Sequence, residues 1–586
     1  MNEFTVVTVL LAAVLVAAFA RRIGWNSPLV ILAVGLAASF LPGLEQVEVP
    51  PELILGIVLP PLLYSAALSS SYQDFRAAIQ PIVRLGVGLV LVTTLAVGLV
   101  AWRLDPVLSP AAAFLLGAVV APPDAVAASA VGRRLGLPRR VMTLLGGESL
   151  INDATSLTLY RIALVAVYTT TTSLAQGLVV FALAVLVGVA VGIGLAYLAQ
   201  IARSGLRDPT VDTVIGLILP FVAYWVAEEY QGSGVLAVVA AGFYIGQAAP
   251  RTTVATRLHE EPIWASVDLM LESFTFALIG LQLRWVIKDV KDSHESLEAA
   301  ILLSLAVLLV ALVVRPLYIY ATEVLVRSKW VRRRRRGATP YRPLTGRELL
   351  VTSWAGMRGV VTLAAAAAIP AVADGRPVAE RATIQLAAYT VAIGTLLIQG
   401  LTLPSLIKAL KISSQDERAE DDASEARVRL LATREAASVV RGQVDAWSAV
   451  MGRPEAERIA TWATQGLLAR ETAAATLMHP EADLTDADFL PPAGTADPTV
   501  IQEARKVLGV GGADGADQPS LEDMRQRAAR LTTRIAELRT QMVRAQRSVV
   551  VAERNAGRLN ETVMRRIMRE LDLEEEAMEA SWANRL

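Results

Sequence analysis

Apolar residues in this chain fall in long runs separated by short polar clusters, a pattern that holds from the N-terminus to about residue 410 and then stops. About 20 residues of helix cross a hydrocarbon core ~30 Å thick. Thirteen runs approach or exceed that length: 4–20, 28–42, 52–70, 82–102, 111–132, 141–167, 174–201, 213–230, 233–250, 263–287, 297–326, 347–370 and 383–410. The pattern therefore predicts an all-α polytopic membrane protein with thirteen transmembrane helices over a domain 1–410. Residues 411–586 form a different segment, rich in Ala, Arg and Glu. In it Met524, Ala528, Leu531, Ile535, Leu538 and Met542 recur at spacings of three and four, which predicts an amphipathic helix or helical hairpin from Leu521 to about Met578. A Pro, Gly and Asp-rich stretch, 479–519, divides this tail. The first apolar run does not read as a signal peptide, because Arg21 and Arg22 follow it rather than precede it.

Charge sharpens the division. The 586 residues hold 55 basic and 55 acidic side chains, but 31 and 25 of these lie in 1–410, against 24 and 30 in the tail. The net zero is a cancellation between two segments. Lys and Arg in short loops stay cytoplasmic, and Arg21/Arg22, Arg76, the RRLGLPRR loop from Arg133 to Arg140, Arg203/Arg207, Arg251/Arg257 and Arg332 to Arg336 occupy every second loop. That alternation puts the N-terminus outside and the tail in the cytoplasm. The basic run 332–336 lies where it can meet anionic lipid or the acidic tail. The chain has no Cys and only three His, at 259, 294 and 479, which leaves nothing for a disulfide, a thiolate metal site or a histidine triad. No nucleophile and base pair or phosphate loop emerges, so neither an enzyme nor a resident cofactor is expected. The acidic tail argues against nucleic acid as a partner.

A charge at the bilayer centre costs at least about 2.5–3.5 kcal/mol, so ionisable residues inside the runs mark the working parts. Four stand out: Asp124 in AVVAPPDAVAASAV, Glu148 and Asp153 in LLGGESLINDATSLTLYRIA, and Arg358 in TSWAGMRGVVTLAAAAAIP. Arg161, Asp268, Glu272, Arg284 and Arg315 lie nearer predicted ends or within snorkelling reach, where a structural role serves as well. Pro122 and Pro123 remove backbone donors in mid-span, so the helix should break beside Asp124. Such breaks are tolerated where the freed groups face protein or a water-filled cavity, and transporters use them to hold ions. Around 148–153, Ser149 and Asp153 are four apart and share a helix face, with Asn152 adjacent. A hydroxyl, an amide carbonyl and a carboxylate make an oxygen set suited to a small hard cation such as Na+ at Asp153 and Ser149, with the Pro123 carbonyl completing the shell. Gly356 and Gly359 weaken the helix around Arg358. Arg358 needs an anion, and Glu148 is the expected partner, a structural ion pair that leaves Asp153 to exchange ligand.

With these residues in view, the chain resembles the bacterial monovalent cation:proton antiporters, on their electroneutral sodium/proton exchanger branch. The stretches that carry the resemblance are APPDAVAASAV, GGESLINDATSLTLYRIAL, GSGVLAVVAAGFYIG, ESFTFALIGLQL, GMRGVVTLAAAAAIP and TLLIQGLTLPSLI, spread over residues 118 to 407. The tail sequence AERNAGRLNETVMRRIMRELDLEEEAM is also similar to tails in this group. The resemblance implies two inverted repeats, two broken helices crossing near mid-membrane, a homodimer, and an ion-carrying core that moves against a scaffold. It implies that Asp153 is the ion and proton carrier, that Asn152 stands where electrogenic relatives have a second Asp, that Ser149 is a ligand, and that Glu148 pairs with Arg358. Many relatives read Thr-Asp-Pro where this chain has Pro123-Asp124-Ala125, so the hydroxyl is absent and a ligand there is a backbone carbonyl.

One carboxylate that binds a cation or a proton, but not both, gives obligatory exchange when alternately exposed. Asn152 cannot titrate, so the expected stoichiometry is one cation (Na+, Li+ or K+) per proton, without net charge movement. The expected setting is the inner, or plasma, membrane, with the bilayer and a second copy as partners. Potassium/proton exchange is the close alternative; an ion channel or receptor with a coiled-coil tail is the alternative of another class. For the tail, dimer bracing and regulation both remain open.

Overall fold

The computed structural model describes residues 3–41, 54–168, 174–206, 208–292, 296–327, 344–370, 380–412 and 414–454, short pieces at 372–373, 376–377, 456–457, 460–461 and 464, and then 521–583. The predicted tail linker 479–519 and the basic run Arg332 to Arg336 fall outside these residues. The regular structure of the described residues is helical apart from one short ladder, Val372–Ala373 with Arg376–Pro377. The chain divides into two compact units, Met1–Ser414 and Gln415–Leu586.

In the first unit the helices are α1 (Glu3–Ile23), α2 (Ser27–Ala38), α3 (Leu59–Ser69, entered through a π-turn, Ile54–Val58), α4 (Tyr72–Ala77), α5 (Ile79–Val83), α6 (Val90–Leu104), α7 (Pro110–Val120), α8 (Ala125–Leu135), α9 (Arg139–Tyr168), α10 (Leu174–Leu206), α11 (Pro209–Glu229), α12 (Gly234–Ala248), α13 (Val254–Asp292), α14 (Leu297–Arg327), α15 (Gly346–Trp354), α16 (Val360–Ala367) and α17 (Arg381–Ala409). Between α5 and α6 a π-turn, Arg84–Leu89, makes Ile79–Leu104 one continuous span. Among the described residues, eight helices are long and apolar enough to cross a membrane, and four shorter apolar ones stand at 27–38, 54–69, 110–120 and 234–248. The apolar run 263–287 extends to a 39-residue helix, α13, because its first turns (VATRLHEE) are polar and continue beyond the apolar part; Pro262 lies inside it.

Two sets of helices pack chiefly among themselves. One contains α1–α3 and α10–α13, the other α6–α9 and α14–α17. Glycines set the spacing inside each set, since small residues let apolar helices approach backbone to backbone. A Cβ on Gly35 would lie 2.9 Å from the Ala277 carbonyl, and one on Gly192 would lie 2.2 Å from that of Ala237, so α2 and α13, and α10 and α12, touch through their main chains. In the other set a Cβ on Gly117 would lie 2.3 Å from the Thr94 carbonyl, where α7 meets α6. Many large apolar side chains are exposed along helix faces, as with Val7, Leu11, Leu15 and Phe19 on α1 and Leu302, Leu305, Leu309 and Val313 on α14. Such faces suit lipid as their solvent.

The second unit contains α18 (Gln415–Gly442), α19 (Val444–Met451), α20 (Leu521–Asn555) and α21 (Glu561–Ala583). Val428 of α18 packs with Val543 and Val550 of α20 and with Val563, Ile567 and Leu571 of α21. Gly557, at φ +71°, allows the tight connection between α20 and α21.

Candidate functional site

Two helices of the first unit are interrupted, and the interruptions meet. Residues 121–124 separate α7 from α8, and residues 355–359 separate α15 from α16. The cause of the first break lies in the sequence. Pro122 and Pro123 have no N–H, so the carbonyls of Ala118 and Val119 lose their i+4 donors. The Ser156 hydroxyl takes the Ala118 carbonyl at 2.8 Å. The next N–H, that of Asp124, turns away from Val120 and donates across to the Met357 carbonyl at 2.6 Å, which ties the two breaks together. The Val120 carbonyl is thereby freed and receives the Arg358 Nε at 3.2 Å. In the second break the Gly356 carbonyl accepts from Arg358 Nη1, and the Arg358 N–H donates to the Thr395 hydroxyl at 2.9 Å.

Asp124 is the last residue before α8, and its carboxylate lies against Gly359, the residue before α16. A Cβ on Gly359 would sit 1.8 Å from Asp124 Oδ2, so only glycine admits this contact. One carboxylate thus serves the positive ends of two half-helices, while Arg358 serves the carbonyl end of α7.

The long helix α9 presents its polar residues to this crossing. Asn152 is fully buried, and its Nδ2 donates to the Pro123 carbonyl at 2.7 Å. That leaves Asn152 Oδ1 as a buried acceptor without a hydrogen-bond partner among the described residues. Asp153 is buried beside it and interacts electrostatically with Asp124. Ser149, one turn earlier on the same face, is partly exposed. The π-turn packs closely behind α9: a Cβ on Gly86 would come within 2.7 Å of Ile151 Cβ and 3.3 Å of the Asn152 nitrogen. The turn's Arg84 carbonyl accepts from the Tyr318 hydroxyl at 3.0 Å.

The expected pairing of Glu148 with Arg358 is corrected by the structure. Glu148 pairs with Arg315 of α14 through both carboxylate oxygens, the Nη2 to Oε2 distance being 2.8 Å, and both side chains are buried. The Arg315 Nε reaches the Thr352 carbonyl at 3.1 Å. The physical reason is the demand at the first break. Arg358 is drawn to the carbonyls of Val120 and Gly356, and another cation is needed for Glu148. In the sequence Arg315 reads as a residue within snorkelling reach; its place in the middle of the apolar run 297–326 is the signal that marks it as buried. Thr395 is one of several hydroxyls in the run 383–410, and nothing in the sequence sets it apart from the others. Glu272 and Asp268 lie one turn apart on α13. Ser65 donates to Asp268 at 2.6 Å, and Glu272 interacts electrostatically with Asp124.

Two broken helices whose breaks meet beside a buried carboxylate are the arrangement by which secondary transporters hold ions. Residues 6–409 match the family described as sodium/hydrogen exchanger, transmembrane, and the chain belongs to that family. It is 31% identical to an uncharacterised Na+/H+ exchanger of Mycobacterium tuberculosis over 436 residues, 74% of this chain and 78% of that one. It is 32% identical to the sodium, potassium, lithium and rubidium/H+ antiporter of Bacillus subtilis, over 69% of this chain and 62% of the relative. In fold it is similar to the sodium proton antiporter MjNhaP1 of Methanocaldococcus jannaschii, with TM-score 0.51 and 19% identity over 69% of this chain and 96% of that one.

Proposed function

We propose that the chain exchanges Na+ for H+ across the plasma membrane, one for one, by alternating access, with Asp153 binding either ion. The observation that carries this reading is the bond from Asn152 Nδ2 to the Pro123 carbonyl at 2.7 Å. It pins the amide as a neutral neighbour of Asp153 and turns Asn152 Oδ1 toward service as a cation ligand. Ser149 supplies a hydroxyl one turn away, and Asp124 a second carboxylate. The Pro123 carbonyl keeps one lone pair beyond that taken by Asn152.

Counting charge supports the stoichiometry. With Glu272 of α13, which also interacts with Asp124, counted as a neutral acid, Arg315 and Arg358 carry +2 at the crossing, and Glu148, Asp124 and Asp153 carry −3, so the unloaded set is at −1. One Na+ or one H+ brings it to zero. Moving a buried charge through a bilayer is costly, so the neutral loaded forms reorient readily and the empty form does not, which makes the exchange obligatory.

The reading includes thirteen crossings in two inverted repeats, an outer N-terminus, a homodimer, and a cytoplasmic tail from about 411 to 586 that braces the dimer or regulates exchange. The clean alternation of basic loops supports the orientation. Potassium exchange is the second reading, favoured by the potassium named among the ions of the Bacillus subtilis antiporter.

The test is a pH-gradient dequenching assay in proteoliposomes with Na+, Li+ and K+ in turn. Wild type should respond and Asp153→Asn should not; full transport by Asp153→Asn removes the assignment. Flux that grows steeply with an imposed potassium diffusion potential removes the one-for-one stoichiometry, and sustained current in place of coupled proton movement makes the protein a channel.

A further inference from the structure

Near the C-terminal end of α9, away from the crossing, Arg161 pairs with Glu228 of α11. Glu228 is fixed in two ways. Its Oε2 meets Arg161 Nη2, and its Oε1 accepts the Gly234 N–H at 2.9 Å, the first N–H of α12. Gly234 is tightly enclosed: a Cβ there would lie 2.7 Å from Tyr224 Cδ2 and 2.9 Å from Glu228 Oε1. The carboxylate is therefore seated at the positive end of α12 and held by α11, on one packing set, while its counter-ion stands on the helix that carries Asn152 and Asp153, in the other set. The ion pairs Arg140 with Glu348, Arg315 with Glu148 and Arg203 with Glu260 each stay within one set. Arg161 to Glu228 joins the two. Arg161 lies eight residues, about 12 Å of helix rise, beyond Asp153, and by the basic-loop orientation this end of α9 faces outward.

We propose that Arg161 and Glu228 form an outer latch, an ion pair that closes the outer approach to Asp153 and opens each time the α9 set moves against the α10–α13 set. The inference rests on the transport reading for its purpose, though not for its geometry. Partly exposed side chains make the pair reversible. Its side-chain exposures of 45% and 22% put it among pairs of modest strength, able to bias two states without freezing either. Neither group belongs to the cation site, so the pair acts on the access equilibrium and leaves the ligand set intact.

The absence of Cys from the chain makes the latch directly measurable. Leu157, buried on α9 one turn from both Asp153 and Arg161, is the reporter position. A full-length Leu157→Cys protein in right-side-out vesicles is labelled with a membrane-impermeant maleimide from the outer face. Adding Glu228→Gln, which keeps an oxygen for the Gly234 N–H and removes only the charge, should speed labelling about two- to fivefold, the population shift a pair of this exposure sustains. Arg161→Gln should give the same factor, Arg161→Lys should stay near the parent rate, and the double variant should match either single one, because both remove a single interaction. Should Glu228→Gln fail to reach the membrane, Arg161→Gln, which touches no helix end, decides alone. Unchanged labelling in the charge-removing variants, or factors that multiply in the double, overturns the latch. A parent protein that labels as expected but carries no Na+-driven proton flux overturns the transport reading instead, and the labelling comparison still reads the latch.

Discussion

Among the described residues Arg315 is the side chain bonded to the Glu148 carboxylate, and replacing it with methionine removes that partner while keeping most of the volume. Arg315 gives Glu148 two charge-assisted hydrogen bonds and the Thr352 carbonyl a third, with both charged groups at 2% exposure or less. An uncompensated buried charge costs about 3–5 kcal/mol, whereas exchanging both partners for apolar residues is often close to neutral. The lower end applies here, because Arg358 Nη1 and Arg315 Nε flank the same Gly356: a Cβ on it would lie 3.3 Å from the first and 3.0 Å from the second. The expected loss for Arg315→Met is therefore about 3 kcal/mol, most of it recovered in Glu148→Met/Arg315→Met. The assay heats detergent-solubilised protein and follows the monodisperse fraction by size-exclusion chromatography. At roughly 2 °C per kcal/mol, the low end of the range for larger domains, the single variant should fall by about 6 °C and the double should return most of it. A parallel cycle between Glu148 and Arg358 should show coupling below about 1 kcal/mol, since Arg358 bonds carbonyls and not the carboxylate. Additive losses in the Arg315 cycle, or stronger coupling to Arg358 than to Arg315, would refute the reasoning.

Other consequences are as direct. Gly359→Ala puts a methyl group 1.8 Å from Asp124 Oδ2 and should cut exchange at least tenfold, roughly the effect of an ångström-scale misplacement at a site; Gly194→Ala, with nothing within 4 Å, should leave the dequenching signal unchanged. Asn152→Asp replaces the donor to the Pro123 carbonyl with an acceptor and should cost about 1–3 kcal/mol of stability, and a heating midpoint equal to wild type would count against that bond. In the tail, Arg558 and then Arg427 hold the Glu553 carboxyl down to about 2. A lowered carboxyl pKa stabilises the fold above the unfolded value, near 4.5, and that contribution disappears as pH falls through about 2. Amide exchange across 544–571 in the full-length protein, corrected for intrinsic rates, should accelerate over that window, and Glu553→Gln should remove this part of the pH dependence.

What the sequence made legible follows from the range of each interaction. Apolar run length marks where spans lie, and the proline pair marks where a helix must break, because both are properties of a few neighbouring residues. The faces of α9 were legible for the same reason: spacing alone put Ser149 and Asp153 together with Asn152 beside them. The partner of Glu148 was not, because Arg315 is 167 residues away and helix periodicity tells which side chains share a face without telling which faces meet. The two arginines differ in a way the sequence hides, namely that the first break strands a carbonyl at Val120 and claims Arg358 for itself. That difference reaches the mechanism. The four ionisable residues singled out from the sequence, Asp124, Glu148, Asp153 and Arg358, sum to −2, and a buried −2 would need two cations to become neutral. Arg315 brings the sum to −1. Counted with that residue, the set becomes neutral on binding a single Na+ or a single proton, so the arginine that periodicity could not place is the one on which the proposed one-for-one exchange rests.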